Sequence, residues 1–486
     1  MKGIVRATLR AARKVHVIGI AGQEGRAVFD YLIRKGFNPV GHENALKEEF
    51  MGRFLNYADA YTREEAEAMG NSFLSSGSDI CFSDRYLSGI EKGDAVIVSQ
   101  AYRRYPANKP LVDMAEAEEI SLFQAIELAF DIAPCLTIGV TGTAGKSTTV
   151  SLIRNMIAAS GKDFYFSGND RENKWDLMEL EDISSKGLAL FEVSHRHLMD
   201  LKGSPDVAVI VNIYPHHLDD AGSFENYVEI KKNLIRFQSE SGKAIVNWSL
   251  LTSGLIEEEN VSGELLSFGG PEGFSAGYVR DGILCIDLKG DEVEIVNIED
   301  LPFGGEHNIL NALAASVAAM SAGLNERDVK DGLMAWKPLR YRIETVYEEP
   351  GIIVINDGKS SDPLATIEAV RSVPDIDVLI LGGIREGIKA GDFVPLGEEI
   401  VNRRVKNVVV YGTSRDDIVR DLEIAMAGSE VNVFSFAHHD EAFDKAFEIR
   451  SEGAIIFSPA CQSFDEFKDY RERAEAWNSA VKNYFS

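Results

Sequence analysis

The sequence predicts an α/β protein of three domains: an N-terminal Rossmann-like domain, a central P-loop ATPase-type α/β domain with a small β-insert, and a C-terminal Rossmann-like domain. Three observations carry this prediction. The chain has 486 residues, too many for one ordinary core, and a domain of common size takes about 150. Short apolar runs alternate with helical patterns along most of it, as parallel sheets covered by helices require. Finally, the stretch Leu136 to Thr149, LTIGVTGTAGKSTT, passes from an apolar run into glycines and then Lys-Ser-Thr.

Within residues 1–133, the run Val15–Ile20 followed by Gly19, Gly22, Gly25 and a helical pattern through Leu32 reads as a nucleotide-type βα unit. A tight turn with close helix packing accounts for the same glycines equally well. A strand at Ala95–Ser99 and a helical run at Ser121–Phe130 follow, and Pro134 marks the boundary. Residues 134–336 contain strand-like runs at Leu136–Val140, Leu188–Val193, Val207–Asn212 and Ala244–Asn247. Between Leu265 and Ile298, short alternating runs with glycine turns predict the antiparallel insert. Helices are expected at Asn308–Ala322 and Glu326–Trp336. Residues 337–486 alternate strands (Ile352–Ile355, Val378–Leu381, Asn407–Tyr411, Val431–Phe436, Ala454–Phe457) with helices beginning near Pro363, Asp416, Asp440 and Asp465. Ligands of such sheets lie beyond the carboxyl ends of the strands, so the polar residues after each run are the candidates for chemistry.

A net charge of −27 argues against nucleic acid or an anionic membrane as partner. No apolar run is long enough to span a bilayer. The opening MKGIVRATLRAARK leads into the strand-like VHVIGI without a signal-peptide pattern, which predicts a cytoplasmic protein. Cys81, Cys135, Cys285 and Cys461 are scattered, as reduced thiols are, and not arranged as a zinc or disulfide framework.

The glycine stretch predicts a phosphate cradle. Gly142, Thr143 and Gly145 let the backbone approach an anion, Lys146 reaches the outer phosphates, and the Ser147 hydroxyl can hold Mg²⁺. The strict GxxxxGK[ST] spacing is not met, because Val140 stands where the first glycine belongs. Glu192, at the end of the run LALF, is placed to hold Mg²⁺, although an isolated strand-end acid is more often simply solvated. His195, His197, His216 and His217 cluster at two strand ends, but without cysteine ligands or a helical HExxH they do not make a zinc site.

In chain order, TGTAGKSTT, the Glu192 segment, NIYPHHLD, the run Gly304–Ala312, RYRIE at 340–344, NDGK at 356–359 and SPAC at 458–461 resemble the Mur ligases. The resemblance covers nearly the whole chain. The C-terminal SPACQSFDEFKDY is similar to the D-glutamate-adding branch. The resemblance implies an ATP-dependent ligase that joins D-glutamate to UDP-N-acetylmuramoyl-L-alanine through an acyl phosphate. It implies an N-terminal domain for the UDP-sugar, a central one for ATP and a C-terminal one for the amino acid, working as a cytoplasmic monomer. By position it assigns Lys146, Ser147 and Thr148 to phosphates and the first Mg²⁺, and Glu192 and His217 to metal. Lys231, with Lys232 as the alternative register, matches a carbamylated lysine that holds a second Mg²⁺. Asn308 and Asn311 match adenine-side positions, with a helix cap as the other explanation of Asn308. Asp357 matches the ribose position and Arg342 the arginine that reaches the γ-phosphate. Lys389 matches the lysine that pairs with the D-glutamate side chain, and Lys359, Ser361, Ser463, Phe464 and Tyr470 fall at other pocket positions. Asn169, Ser194 and His197 fall on the acceptor side.

Departures from the family pattern concentrate on the acceptor and metal side. They are His195-Arg196-His197 for Ser-Phe-Gln, His216-His217 for Asp-His, Ala144 for the loop asparagine, Tyr341-Arg342 for His-Arg, and Ser99-Gln100-Ala101 where Ser-Pro-Gly is expected. Arg103 and Arg104, just beyond, suit an anionic headgroup and a solvated loop equally.

Overall fold

The computed structural model describes residues 3–56, 60–168, 173–215, 221–337, 339–385 and 391–485. Asn169, His216, His217 and Lys389 lie outside them. The chain divides into two compact units, Met1–Trp336 and Lys337–Ser486.

The first unit holds two sheets. One is parallel, with strands β1 (Val15–Ile18), β2 (Val40–His42), β3 (Ile80–Cys81), β4 (Ala95–Val98) and β5 (Ser121–Gln124) in the order β3-β2-β1-β4-β5. The central strands β1 and β4 are buried throughout, which their apolar runs allow. His16 is tolerated in β1 because its ring nitrogens meet Asp94 Oδ2 at 3.1 Å and His42 Nε2 at 2.9 Å. Burial pushes the His42 imidazole down to about 3, so the pair adds no buried charge at neutral pH.

One sequence expectation changes here. Ser121–Phe130 is not one helix: Ser121–Gln124 pairs with β4, and the helix is Ala125–Ile132. The four residues Ser-Leu-Phe-Gln carry too little periodicity to separate a short strand from a helix turn. The opening segment forms the helix Ile4–Ala11, which buries Val5 and Leu9 on one face. The backbone N–H of Arg6 donates to Asp131 Oδ2 at 3.0 Å.

The second sheet has nine strands: β6 (Leu136–Thr141), β7 (Phe164–Ser167), β8 (Leu188–Glu192), β9 (Val207–Ile210), β10 (Lys243–Asn247), β11 (Glu264–Phe268), β12 (Gly277–Arg280), β13 (Ile283–Leu288) and β14 (Asp291–Asn297). Their order is β14-β13-β12-β11-β10-β9-β6-β8-β7. Pairing is antiparallel in β12–β14 and parallel elsewhere. The antiparallel insert thus begins one strand later than the sequence suggested, because Leu265–Phe268 aligns parallel to β10. The helix Glu306–Ser321 buries Ala312, Ala314, Ala315, Ala318 and Ala319 completely. Small side chains there let the helix backbone come close to the sheet.

The second unit is one sheet of β15 (Glu344–Glu349), β16 (Ile352–Asn356), β17 (Ile376–Gly382), β18 (Asn407–Tyr411), β19 (Asn432–Ser435) and β20 (Gly453–Ala460) in the order β15-β16-β20-β17-β18-β19. Only β15 runs antiparallel. The last helix begins at Tyr470, not near Asp465, because Ser463 to Asp469 forms turns anchored on the Ser463 carbonyl, which accepts from Phe467 N–H at 3.0 Å. Among the described residues no helix is long and apolar enough to cross a membrane, and all four cysteines are buried and outside any disulfide.

Candidate active site

The turn between β6 and the helix Lys146–Ser160 is built for close backbone approach. Gly145 has φ +79°, and a Cβ there would lie 2.4 Å from Asn311 Oδ1. Only glycine fits that position without moving Asn311. The Thr149 hydroxyl meets the same Oδ1 at 3.3 Å, so Asn311 braces the loop from the neighbouring helix. Asn212, which the sequence did not single out, supports the other side: its Oδ1 accepts from Ala144 N–H at 2.9 Å and its carbonyl from Thr143 N–H at 3.1 Å. A side-chain carboxamide beyond β9 therefore supports the loop at Ala144, where the family pattern has an asparagine. The signal for it was its place at the end of Val207–Asn212.

Lys146 Nζ donates to Gly142 O at 2.8 Å and Thr143 O at 2.9 Å, curling its ammonium over the loop. With the positive end of a 15-residue helix beneath it, this arrangement suits phosphate. The Ser147 hydroxyl donates to Glu192 Oε1 at 3.1 Å, bringing a hydroxyl and a carboxylate together from two strands' ends. An oxygen-only pair of this kind fits Mg²⁺, which takes one or two protein ligands and completes its shell with phosphate and water. Among the described residues no group of three or more His, Cys, Asp or Glu could hold a metal. Thr148 is half-buried in the first helical turn.

Lys231, on the helix Phe224–Arg236, is 1% exposed and donates to Thr141 Oγ1 at 2.9 Å and Gly142 O at 3.0 Å. Its Nζ lies 5.3 Å from the Tyr227 ring. Burial, reinforced by the Lys146 charge and opposed by Glu192, holds its amine well below the usual lysine range. Lys232 instead pairs with Glu229 at 2.9 Å on the helix exterior.

Asn308 sits in the first turn of its helix, with Gly305 as the N-cap, and its Nδ2 donates to Gly304 O at 2.9 Å. It is not the cap. Ser194 and His197 are 6% and 1% exposed, with polar atoms bonded within the chain. Arg103 is paired through two of its guanidinium nitrogens with Asp200, at 2.7 and 2.5 Å. The described structure also brings Trp248 and Phe274, unremarked in the sequence, to 6.1 Å at the ends of β10 and β11.

In the second unit Lys359 and Ser361 follow β16, and Ser463 and Phe464 follow β20, its neighbour in the sheet. Lys359 Nζ lies 5.1 Å from the Tyr470 ring. Ser463 is buried and Phe464 is 56% exposed. The turn carrying Arg342 is strained on both sides, with φ +63° at Tyr341 and +48° at Ile343, values costly for side-chain-bearing residues. Asp357 holds this turn by accepting from Ile343 N–H at 3.2 Å, and its other oxygen accepts from Ser458 Oγ at 2.6 Å.

Burial pushes the Asp357 carboxyl from 3.8 up to about 6, against the pull of Ser360, Ser458 and Arg342. Below about pH 4 both folded and unfolded chains hold this proton. Between 4 and 6 only the folded chain does, so unfolding releases it and stability falls by about 3 kcal/mol as pH rises, then levels off. Urea unfolding of the chain and of Asp357→Asn between pH 4 and 7 checks this, and the variant is expected to lack that slope.

A phosphate loop at the end of a parallel strand, with a metal-type hydroxyl–carboxylate pair beside it, defines a nucleotide-dependent phosphoryl-transfer enzyme. Comparison with known proteins makes the class specific. A family profile described as the Mur ligase middle domain matches residues 140–319. The UDP-N-acetylmuramoylalanine–D-glutamate ligase of Thermoanaerobacter pseudethanolicus is 30% identical over 82% of this chain and 86% of its own. Its counterpart in Symbiobacterium thermophilum is 28% identical over 98% and 99%. In fold, the chain is similar to the pseudomurein peptide ligase type C of Methanothermus fervidus (TM-score 0.55, 15% identity, 97% and 99% covered). It is equally similar to the MurF ligase of Thermotoga maritima in complex with ADP (0.55, 18%, 85% and 92%). The chain belongs to the Mur ligase family and is an ATP-dependent, ADP-forming ligase.

Proposed function

We propose that the chain adds D-glutamate to UDP-N-acetylmuramoyl-L-alanine. The observation that carries this reading is the 30% identity, over 82% of the chain, to a relative named for that reaction. In the first step a carboxylate oxygen of the acceptor attacks the γ-phosphorus of ATP, the bond to the β-phosphate oxygen breaks, and ADP leaves. The amine of D-glutamate then attacks the acyl carbon. The tetrahedral adduct expels phosphate, which carries away the former carboxylate oxygen, and the amine gives up its proton to form the amide.

Phosphorylation is needed because a carboxylate is a poor electrophile with no leaving group. Lys146 and the loop amides are assigned to the phosphates and the charge that develops there. Mg²⁺, when bound, neutralises the transferring phosphoryl oxygens; Ser147 and Glu192 are the residues that would hold it, with Lys231 and His217 assigned to a second ion. For Lys231 this requires carbamylation, in which the neutral amine adds CO₂ and loses a proton. A buried amine beside Lys146 favours the neutral nucleophile. Asn308, Asn311, Asp357 and Arg342 keep the nucleotide-side roles that the resemblance implies. Residues 1–133 are assigned to the UDP-sugar and 134–336 to ATP. Residues 337–486 are assigned to D-glutamate through Lys359, Ser361, Lys389, Ser463, Phe464 and Tyr470, where a lysine among hydroxyls suits a dicarboxylate. ATP and a UDP-linked acceptor support a cytoplasmic reaction.

A paralogue with the same chemistry on another acceptor is the second reading. It is favoured by the internal bonding of Ser194 and His197 on the acceptor side. A coupled ADP-release screen of D- and L-amino acids against UDP-N-acetylmuramoyl-L-alanine and other UDP-sugars separates the two. ADP should form only when that acceptor and D-glutamate are both present. Turnover with a different acceptor alone would establish the paralogue, and turnover with neither would make the chain a simple ATPase.

A further inference from the structure

Two departures from the family pattern, far apart in sequence, meet in one buried ring of hydrogen bonds. Glu24, in the first turn of the helix Gln23–Arg34 after the first glycine turn, is 5% exposed. Its Oε2 accepts from Gln100 N–H at 3.0 Å, and its Oε1 meets His197 Nε2 at 3.0 Å. Gln100 Oε1 accepts from the Ser194 hydroxyl at 2.6 Å. Ser194 N–H donates to His197 Nδ1 at 3.1 Å, which closes the ring. Because Nδ1 accepts from a backbone N–H, the ring proton must be on Nε2, donating to Glu24. His197 is thus a bridge with each nitrogen given one role.

The ring ends two residues beyond Glu192. On its near side the segment is tied to the phosphate strand: Val193 N–H donates to Val140 O at 2.8 Å, and Thr141 Oγ1 donates to Val193 O at 2.7 Å while accepting from Lys231. On its far side Asp200 takes Tyr102 OH at 2.7 Å along with Arg103. The turn after the carboxylate that faces Ser147 is therefore fixed on one side by the phosphate-loop strand and on the other by residues from the ends of β1 and β4.

We propose that Glu24 and His197 are positioning residues: through Gln100 and Ser194 they hold the turn that presents Glu192 to the metal, and so couple the residue 19–25 turn to the metal carboxylate. The coupling rests on the reading that residues 1–133 receive the acceptor. The positioning of Glu192 does not, and it is tested without acceptor or amino acid. Outer-shell partners of a metal ligand change metal affinity by about 10- to 100-fold.

The two nitrogens of His197 can be separated by substitution. His197→Gln keeps a donor where Nε2 meets Glu24, whereas His197→Asn keeps a group at the Nδ1 position and loses the Glu24 bond. Calorimetric titration of ADP with the full chain at a series of Mg²⁺ concentrations is the readout, alongside melting temperature. His197→Asn should raise the Mg²⁺ needed for half-maximal binding about tenfold, with His197→Gln much closer to the unsubstituted chain. Glu24→Gln, which leaves one acceptor oxygen for the two donors Gln100 N–H and His197 Nε2–H, should move the same way as His197→Asn. If the variants lower the melting temperature but leave the Mg²⁺ dependence unchanged, the ring is structural only and the proposal is overturned. If His197→Gln fails as badly as His197→Asn, the bond to Glu24 is not what holds Glu192, which overturns it as well. A negative acceptor screen alongside the expected Mg²⁺ shifts would instead count against the assigned substrate alone.

Discussion

Lys146→Ala abolishes amino-acid-dependent ADP formation, with kcat down by about a thousandfold, the upper range for removing one charged or hydrogen-bonding stabiliser of a transition state. Its ammonium already sits over the loop through Gly142 and Thr143 carbonyls at 2.8 and 2.9 Å, so little reorganisation is needed to meet phosphate. The loss should appear mainly in kcat, because the interaction strengthens as negative charge builds on the transferring group. Melting temperature is expected to change little, since Lys146 is only half-buried and its ammonium donates to carbonyls of a surface loop. Steady-state ADP release with acceptor and D-glutamate, beside a thermal melt, checks both. Unchanged turnover would remove the phosphate-loop assignment.

Lys231→Ala is the second large effect. Truncation removes a side chain that is 1% exposed and leaves Thr141 Oγ1 and Gly142 O without their shared donor. Two outcomes are expected together: a loss of about 10²-fold or more in kcat, as for other charged stabilisers, and partial recovery when short carboxylic acids are added. The recovery is diagnostic. A carboxylic acid returns an anion to the cavity, so it restores a lost carbamate but cannot replace a lost ammonium. A variant that stays folded yet gains nothing from formate, acetate or propionate contradicts carbamylation and returns Lys231 to the role of a buried donor beneath the loop.

The parts of this protein that were legible in the sequence are those where the backbone itself needs a residue type. Gly145 had to be glycine at φ +79° against Asn311, and the strands β6, β8, β9 and β10 announced themselves by short apolar runs that a doubly covered sheet demands. Lys231 was placed by position, and its burial could not have been read from a helix that also carries half-buried Lys232 and exposed Glu229. What stayed hidden depends on contacts between distant segments. Nothing in the sequence singled out Glu24, and Gln100 stood only within a loop that departs from the family pattern; they acquire meaning only when β1, β4 and β8 bring them to Ser194 and His197. Likewise His16 in an apolar strand makes sense only beside Asp94. The strand Ser121–Gln124 was missed because four residues cannot distinguish periods of 2 and 3.6.

The central claim, transfer of the γ-phosphoryl group to a carboxylate before the amide forms, is tested most directly by isotope. UDP-N-acetylmuramoyl-L-alanine labelled with ¹⁸O in its terminal carboxylate is turned over with ATP and D-glutamate, and the released phosphate is read by mass spectrometry or ³¹P resonance. An acyl phosphate predicts that each phosphate released carries one oxygen from that carboxylate. Phosphate free of label, with amide still formed, would contradict it.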